Sequence, residues 1–158
     1  MFRELVRKNK RLSSEECISI LKEEKRGVLS VQGDGGYPYG MPMNHFYNEG
    51  DGKIYFHSGN LGHRLESLKK DDKVSFCVYD GGTAQEGKWA LVVKSVIVFG
   101  RIKIVDDYDR IAEITTKLSL KFTDDEEYIK DEIKHHAKRT VLLELTPEHL
   151  CGKWVEEA

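Results

Sequence analysis

The β-rich segments of this chain follow one another across short turns, and helices rarely separate them. Segments Val28–Val31, Tyr37–Tyr47 and Ile54–His57 are joined by glycine-containing turns, which predicts an antiparallel meander. Pro38 and Pro42 remove backbone donors from the middle segment, so it is expected at an edge, a bulge or a bend. This order excludes a doubly wound dinucleotide-binding fold, and no G-x-G-x-x-G motif is present.

Three further β-rich segments follow in the second half of the chain. Lys73–Tyr79 is a short strand, and Trp89–Val105 is one long β-rich run in which Ser95 and Gly100 are expected to mark bends or bulges. Thr140–Leu145 is the last predicted strand, followed by a proline-containing tail. The sequence therefore predicts five or six strands in total.

Helices are predicted at four places around these strands. A capping box at Ser13 begins a helix that ends before Arg26 and Gly27, and a second helix is predicted from Leu61 to Lys70. Two more are expected over Tyr108–Leu120, after an Asp-Asp cap, and over Tyr128–His136. The pattern predicts a mainly β (α+β) fold, an antiparallel barrel with peripheral helices.

The composition is that of one globular domain spanning residues 1–158. Hydrophobic residues make up 39% and charged residues 33% of the 158 residues, enough for a core without metals or disulfides. The longest apolar run, Val96–Phe99, is too short to cross a membrane, so no membrane partner is expected. Glu4 interrupts the N-terminus before any apolar signal core, so a cytoplasmic location is expected.

Charge and metal-ligand patterns argue against two further classes of function. A formal net charge of −2 and an isoelectric point near 6.3 disfavour nucleic acid as a partner, including an oligonucleotide-binding barrel. The short basic stretch Arg7–Arg11 is either a solvated arm or, near an active site, a contact for an anionic ligand. Three cysteines without C-x-x-C spacing and the adjacent pair His135 and His136 predict no metal site.

The segment Tyr55–Leu68 carries the clearest functional signal. A strand ends at a Ser-Gly-Asn turn and leads into a helix with His63 and Arg64 in its first turn. Helix amides, the Ser58 hydroxyl and the guanidinium would all donate toward the same place, which favours an anion such as phosphate. The alternative is that Arg64 is a solvated surface charge and Ser58 an ordinary cap.

Five segments in order, with a Gly-Lys pair near the C-terminus, resemble a known family. They are Val28–Val31, Gly36–Asn44, Ile54–Ser58, Gly62–Leu65 and Lys94–Arg101. The chain resembles the FMN-binding split-barrel proteins of the pyridoxamine 5′-phosphate oxidase-like family, and is most similar to the nitroimidazole-resistance branch. The resemblance implies an antiparallel six-stranded split β-barrel and a homodimer with two flavin sites at the subunit interface.

The resemblance also implies which residues contact FMN. The flavin ring or ribityl chain would lie along strand residues of the second and fifth β-segments, and the phosphate at the strand–turn–helix. The implied contacts are Pro42, Met43 and Asn44 along the ring or ribityl chain, His57 and Ser58 near the ribityl phosphate, His63 and Arg64 on the phosphate, Lys94, Ser95 and Val96 beside the ring, and Trp154 closing the pocket. A polar amide such as that of Asn44 in an apolar strand needs a partner, which a flavin edge would supply.

The implied function is an FMN-dependent oxidoreductase. FMN would take hydride from NADH or NADPH and pass electrons to a small acceptor, such as a nitro-aromatic compound or a quinone. His57 is the candidate catalytic acid or base because an unperturbed imidazole titrates near neutral pH, and the alternative is a structural histidine bonded to phosphate or backbone. The C-terminus lacks the Arg-Leu-x-Pro motif of true pyridoxamine phosphate oxidases, so that substrate is not expected. The alternatives are a non-catalytic FMN carrier or sensor, and a haem-binding relative with His45 or His149 as ligand.

Overall fold

A computed structural model describes residues 2–157 as one antiparallel sheet with four helices packed around it. The helices are α1 (Ser14–Glu23), α2 (His63–Lys70), α3 (Tyr108–Ser119) and α4 (Glu126–His136). The strands are β1 (Arg26–Gln32), β2 (Pro38–Asn44), β3 (Phe46–Asn48), β4 (Lys53–Gly59), β5 (Lys73–Tyr79), β6 (Val92–Val105) and β7 (Thr140–Glu156). The strands lie in the order β2-β1-β5-β6-β7-β4-β3, and every neighbouring pair is antiparallel.

The predicted fold class is confirmed, with seven strands in place of six. The segment predicted as one strand, Tyr37–Tyr47, is broken at His45 into β2 and β3, which occupy opposite edges of the sheet. The sheet must therefore curl until its two edges meet at this residue, as in a split barrel. His45 is fully buried there, and its Nε2 lies 2.8 Å from the carbonyl oxygen of Leu21 in α1.

The two longest strands, β6 and β7, pair with each other to form a long ribbon in the centre of the sheet. β7 extends to Glu156, well beyond the predicted end at Leu145. Its residues from Leu142 to Glu156 pair with the whole of β6. The register shifts between Phe99 and Gly100, opposite Pro147, so the predicted bulge at the glycine is confirmed. A proline is tolerated in this strand because the bulge relieves it of a ladder hydrogen bond.

Strand β4 separates two hydrophobic cores because its side chains alternate between the faces of the sheet. Phe56 packs inside the curl with residues such as Phe76 and Leu143. Tyr55 faces outward and packs with Ile114 of α3 in a second, smaller core. Ser58 thus shares the inner face with Phe56, and His57 shares the outer face with Tyr55.

The helix predictions hold except at their ends. The capping box at Ser13 is present, with reciprocal bonds to Glu16. Helix α2 begins at His63, two residues later than predicted, and Leu61 is 88% exposed. Trp89 precedes β6 in a loop and is also exposed. Within residues 2–157, no helix combines the length and apolarity that a membrane crossing requires.

Candidate functional site

The N-terminus of α2 offers free backbone donors toward the end of β4. The N-cap residue is Gly62, whose φ of 117° is readily adopted only by glycine and whose lack of a side chain leaves the first amides uncapped. The first helical bond runs from the Glu66 amide to the Gly62 carbonyl. The amides of the intervening residues, including His63 and Arg64, are therefore available to an anion.

Arg64 joins the two sides of the split in the barrel. Its Nη1 donates to the Oγ of Ser58 on β4 at 2.9 Å, and its Nε lies 2.9 Å from the Sδ of Met41 on β2. Ser58 is buried, and its hydroxyl donates to the Gly59 carbonyl. Among residues 2–157, no carboxylate forms a salt bridge with Arg64. The guanidinium is thus half-buried without a counter-ion beside an uncapped helix end.

His63 has a different environment from Arg64. Its ring stacks on Tyr39 of β2, with ring centroids 4.4 Å apart, and its Nε2 lies 3.5 Å from Asp34. The same carboxylate lies 3.6 Å from the Nζ of Lys70. Asp34 is therefore shared between two basic side chains, and the charge around the helix end remains positive.

Together these residues form a cluster suited to a phosphate group. The structure brings together Ser58, His63 and Arg64, the three residues that the sequence placed at an anion site. Sequence reasoning missed Tyr39 and Met41, which belong to β2. Their signal was the alternation of that strand, because Met41 is buried on the inner face that Ser58 also shares.

His57 lies on the other face of β4 from Ser58. It lines a cavity of about 390 Å³ between the sheet and helices α3 and α4, with Thr115 and His136 among the other lining residues. Desolvation and the positive charge of Arg64 lower the pKa of His57, which favours a neutral imidazole at pH 7. The Oγ1 of Thr115 is buried without a hydrogen-bond partner among the described residues. A catalytic role for His57 stays a prediction.

The remaining predicted contacts are spread over several places. Met43 and Val96 are buried in the core, whereas Pro42 is exposed on the outer face. Asn44 is half-buried at the end of β2, and Ser95 lies beside Tyr79 and Lys153 in the sheet. Lys94 and Trp154 pair across β6 and β7, and the Nζ of Lys94 is 3.6 Å from Glu16.

The Lys94–Trp154 pair lies far from the phosphate cluster along the ribbon. Ser58 pairs with Val141 and Lys94 with Trp154, so thirteen residues of β7 separate the two places. Among residues 2–157, no hydrogen bond or salt bridge joins Lys94 or Trp154 to Ser58, His63 or Arg64.

The two histidines considered as haem ligands are occupied by other contacts. His45 is enclosed in the core, and the ring of His149 stacks on Phe2 at 4.9 Å between centroids. In the part of the chain that the structure covers, no three His, Cys, Asp or Glu residues are arranged to hold a metal ion.

A sequence profile described as pyridoxamine 5′-phosphate oxidase matches residues 13–154, which is most of the chain. The chain belongs to the pyridoxamine 5′-phosphate oxidase family. The family predicted from the sequence is therefore confirmed. No curated protein matches this member of the family significantly.

Solved structures agree with the split-barrel fold of the pyridoxamine 5′-phosphate oxidase family. A conserved hypothetical protein from Mycobacterium tuberculosis has a TM-score of 0.81 at 17% identity, covering 96% of this chain and 89% of its own. A protein assigned as a 5-nitroimidazole antibiotic resistance protein from Bacteroides thetaiotaomicron has a TM-score of 0.76 at 18% identity, covering 91% and 85%. An FAD-binding protein from Mesorhizobium loti has a TM-score of 0.68 at 22% identity, covering 92% and 97%. At these identities the likeness shows the fold.

Proposed function

We propose that this protein binds FMN, with the flavin phosphate at the N-terminus of α2. The observation that carries the proposal is Arg64, a half-buried guanidinium that bonds to Ser58 and has no carboxylate partner among residues 2–157. Burying an uncompensated cation beside the positive end of a helix is unfavourable unless an anion binds there. Family membership and the FAD-binding protein that shares this fold support a flavin as the bearer of that anion.

The residues present fit a phosphate group. The free amides of α2 and the fork of Arg64 supply donors from two directions, and the Ser58 hydroxyl can turn to donate as well. His63 adds a donor at the rim, where stacking on Tyr39 fixes its ring. Asp34 is held by His63 and Lys70 and so does not occupy Arg64.

A homodimer is part of this proposal. Predicted ring contacts at Lys94 and Trp154 lie toward the other end of the β6–β7 ribbon from Ser58, and no hydrogen bond or salt bridge among residues 2–157 joins the two sets. A second copy could supply one of the two sets. The outer face of β1, β2 and β5 is open for such a contact, with Val28 39% and Tyr79 61% exposed.

The proposed activity is an oxidoreductase that takes electrons from NADH or NADPH. Bound FMN would supply the redox chemistry, accepting hydride and passing electrons to a small acceptor such as a nitro-aromatic compound or a quinone. The chain's own part is to hold the phosphate at α2 and to keep a neutral His57 near the end of β4.

Replacement of Arg64 by alanine tests the phosphate site. We expect Arg64→Ala to weaken FMN binding by about 1.5–3 kcal/mol, roughly 10-fold to 150-fold, because a charge-assisted hydrogen bond to phosphate is lost. Flavin fluorescence quenching on titration of the apoprotein measures the dissociation constant. Lys134→Ala, which removes an exposed cation from α4, is the control and should leave affinity unchanged. Equal affinities of wild type and Arg64→Ala would place the phosphate elsewhere.

Anaerobic addition of NADH or NADPH to the reconstituted protein tests the activity separately. Loss of the visible flavin absorbance, and its recovery on adding a quinone or nitro-aromatic compound, is the expected result. FMN that binds with the predicted Arg64 dependence but is never reduced would contradict the oxidoreductase and favour a carrier. A haem spectrum, or no uptake of FMN, would contradict flavin binding itself.

A further inference from the structure

The N-terminal arm, residues 2–12, is fastened to the sheet at both ends. Phe2 stacks on His149 with the two rings almost parallel, at an interplanar angle of 3°, and on Phe99 at 5.6 Å between centroids. At the other end the Leu12 amide donates to the Gly152 carbonyl at 3.0 Å. Between these anchors the arm arches over the last part of β7 and encloses a cleft of about 350 Å³.

The arm cleft is lined by an excess of positive charge. Four cationic side chains border it: Arg3, Arg7, Lys10 and Lys153. Of the described residues that line the cleft, only Glu4 is acidic, and it pairs with Lys8 outside the cleft at 3.2 Å. Within residues 2–157, none of the four cations forms a salt bridge. Because the whole chain has a net charge of −2, this concentration of charge is local.

The rest of the arm cleft is apolar and includes an aromatic ring. Leu5 of the arm and Val155 and Trp154 of β7 line it and are half-buried, whereas Val6 at its rim is 94% exposed. The Nζ of Lys10 lies 4.8 Å from the centroid of the Trp154 ring, so a cation and an aromatic surface meet at one point. A ligand for this cleft needs several negative charges on one part and a flat, weakly polar body on another.

We propose that the arm cleft binds a nucleotide carrying two or more phosphate groups. The four cations would hold the phosphates, and the base would pack against Trp154 and the apolar wall. Without such an anion the four like charges repel one another, and a nucleotide would relieve that repulsion. The basic stretch Arg7–Arg11 is then part of a binding site and not a solvated arm.

The four cations of the arm cleft are separate from Ser58 and Arg64, and Trp154 is the residue that the cleft shares with the predicted flavin contacts. One extension does rest on the proposed function. If the chain takes electrons from a reduced nicotinamide, the arm cleft favours NADPH over NADH, since only NADPH carries the additional 2′-phosphate.

Fluorescence of Trp154 in the FMN-free protein provides a direct test. The chain has two tryptophans, and Trp89→Phe removes the exposed one, leaving Trp154 as the single reporter. Titration with adenosine 2′,5′-bisphosphate should change this fluorescence. Adenosine 5′-monophosphate should bind at least fivefold more weakly because it lacks one phosphate, and inorganic phosphate more weakly still because it lacks the base. Added salt should weaken all three.

Charge reversal locates the site. The double variant Arg7→Glu, Lys153→Glu should lower bisphosphate affinity roughly 10-fold or more, since two charge-assisted contacts become repulsive. Lys138→Glu, an exposed lysine outside the cleft, should change it less than twofold. Circular dichroism checks that each variant is folded. An unchanged affinity in the double variant, no response to the bisphosphate, or inorganic phosphate binding as tightly as the bisphosphate would each overturn the proposal.

The flavin proposal fails or succeeds independently of this result. Arg64→Ala should leave the response of Trp154 to the bisphosphate unchanged, whereas Arg7→Glu alone, which changes the arm and not the strands with the predicted ring contacts, should leave FMN affinity unchanged. A bisphosphate response that is lost in Arg64→Ala and kept in the double variant would mean that the bisphosphate binds at Ser58, His63 and Arg64. That result would overturn the proposal that it binds in the arm cleft.

Discussion

The buried side chain of His45 affects both the fold and the dependence of its stability on pH. Its Nε2 lies against the Leu21 carbonyl, and its Nδ1 is buried without a partner in residues 2–157. Lys121 packs beside it and donates to the carbonyl oxygens of His45 and Glu24, at 2.8 and 2.7 Å. Burial, and then the charge of Lys121, lower the pKa of His45 to about 4. The residue is therefore neutral in the folded protein at pH 7.

Protonation of His45 is expected to destabilise the fold in acid. The unfolded histidine binds its proton near pH 6.5 and the folded one only near pH 4, so stability is full above pH 6.5 and falls as the pH decreases. The contribution lost by pH 4 is about 3 kcal/mol. Urea unfolding of wild type and His45→Gln between pH 7.5 and about pH 4.5 measures it. Identical pH dependence in the two proteins would contradict this assignment.

Helix α3 is tied to the sheet by a polar cluster around Tyr55. The Tyr55 hydroxyl donates to the carboxylate of Asp51, lies 3.1 Å from Glu144, and accepts from Nη2 of Arg110 on α3 at 2.9 Å. Arg110 also bonds to Glu113 one turn later in the helix. Burial, and then donation to Asp51, raise the pKa of Tyr55. The phenol therefore stays protonated and holds strand, turn and helix together.

Removal of this hydroxyl should weaken the attachment of α3. We expect Tyr55→Phe to reduce the free energy of unfolding by about 1.5–3 kcal/mol, because hydrogen bonds to charged groups are lost while the ring remains packed. Chemical denaturation with an unchanged m-value measures the loss. Tyr108→Phe, at an exposed position in the same helix, is the control and should change stability by less than about 0.5 kcal/mol. A loss of similar size in both variants would argue against a specific role for the cluster.

Local signals predicted the helices better than the strands. Capping residues such as Ser13 and Asp107 act within one turn, so the sequence beside them was sufficient. The break at His45 and the continuation of β7 past Pro147 depend on strands far away in sequence, namely the opposite sheet edge and the bulge at Gly100. Pairing of that kind leaves no short-range mark.

In the candidate site, too, residues close in sequence were predictable and contacts between distant strands were not. Ser58, His63 and Arg64 were predictable because they lie within seven residues of one another. The alternation of β2 marks Met41 as an inner-face residue, but the contacts of Met41 with Arg64 and of Tyr39 with His63 come from the curling of the sheet, which the local sequence does not show. The ring contacts implied by resemblance lie in several separate places in one chain, and the proposed dimer is the arrangement that would unite them.

The outer sheet face is expected to be where two copies meet. Val28 and Tyr79 expose apolar surface beside Pro42. Lysine in place of Val28 and Tyr79 would put two charges into the proposed contact between the copies. We expect wild type to sediment as a dimer and the double variant Val28→Lys, Tyr79→Lys as a folded monomer. Tyr108→Lys, on exposed α3 surface, should remain dimeric. A monomeric wild type, or a dimeric double variant, would contradict this interface.

The corner at His45 has a consequence for the sheet's exposed edges. Open edge strands can recruit strands from other chains, and sheets protect themselves by closing or covering those edges. In this protein β2 and β3 are the two edges, and a single residue joins them covalently. Neither edge strand can separate from the sheet without displacing the other, so the peptide backbone at His45 holds the two edges together. Proteolytic cleavage at His45 would release both edge strands at once. Their unpaired backbone groups could then pair with other chains, and the protein would become prone to aggregation.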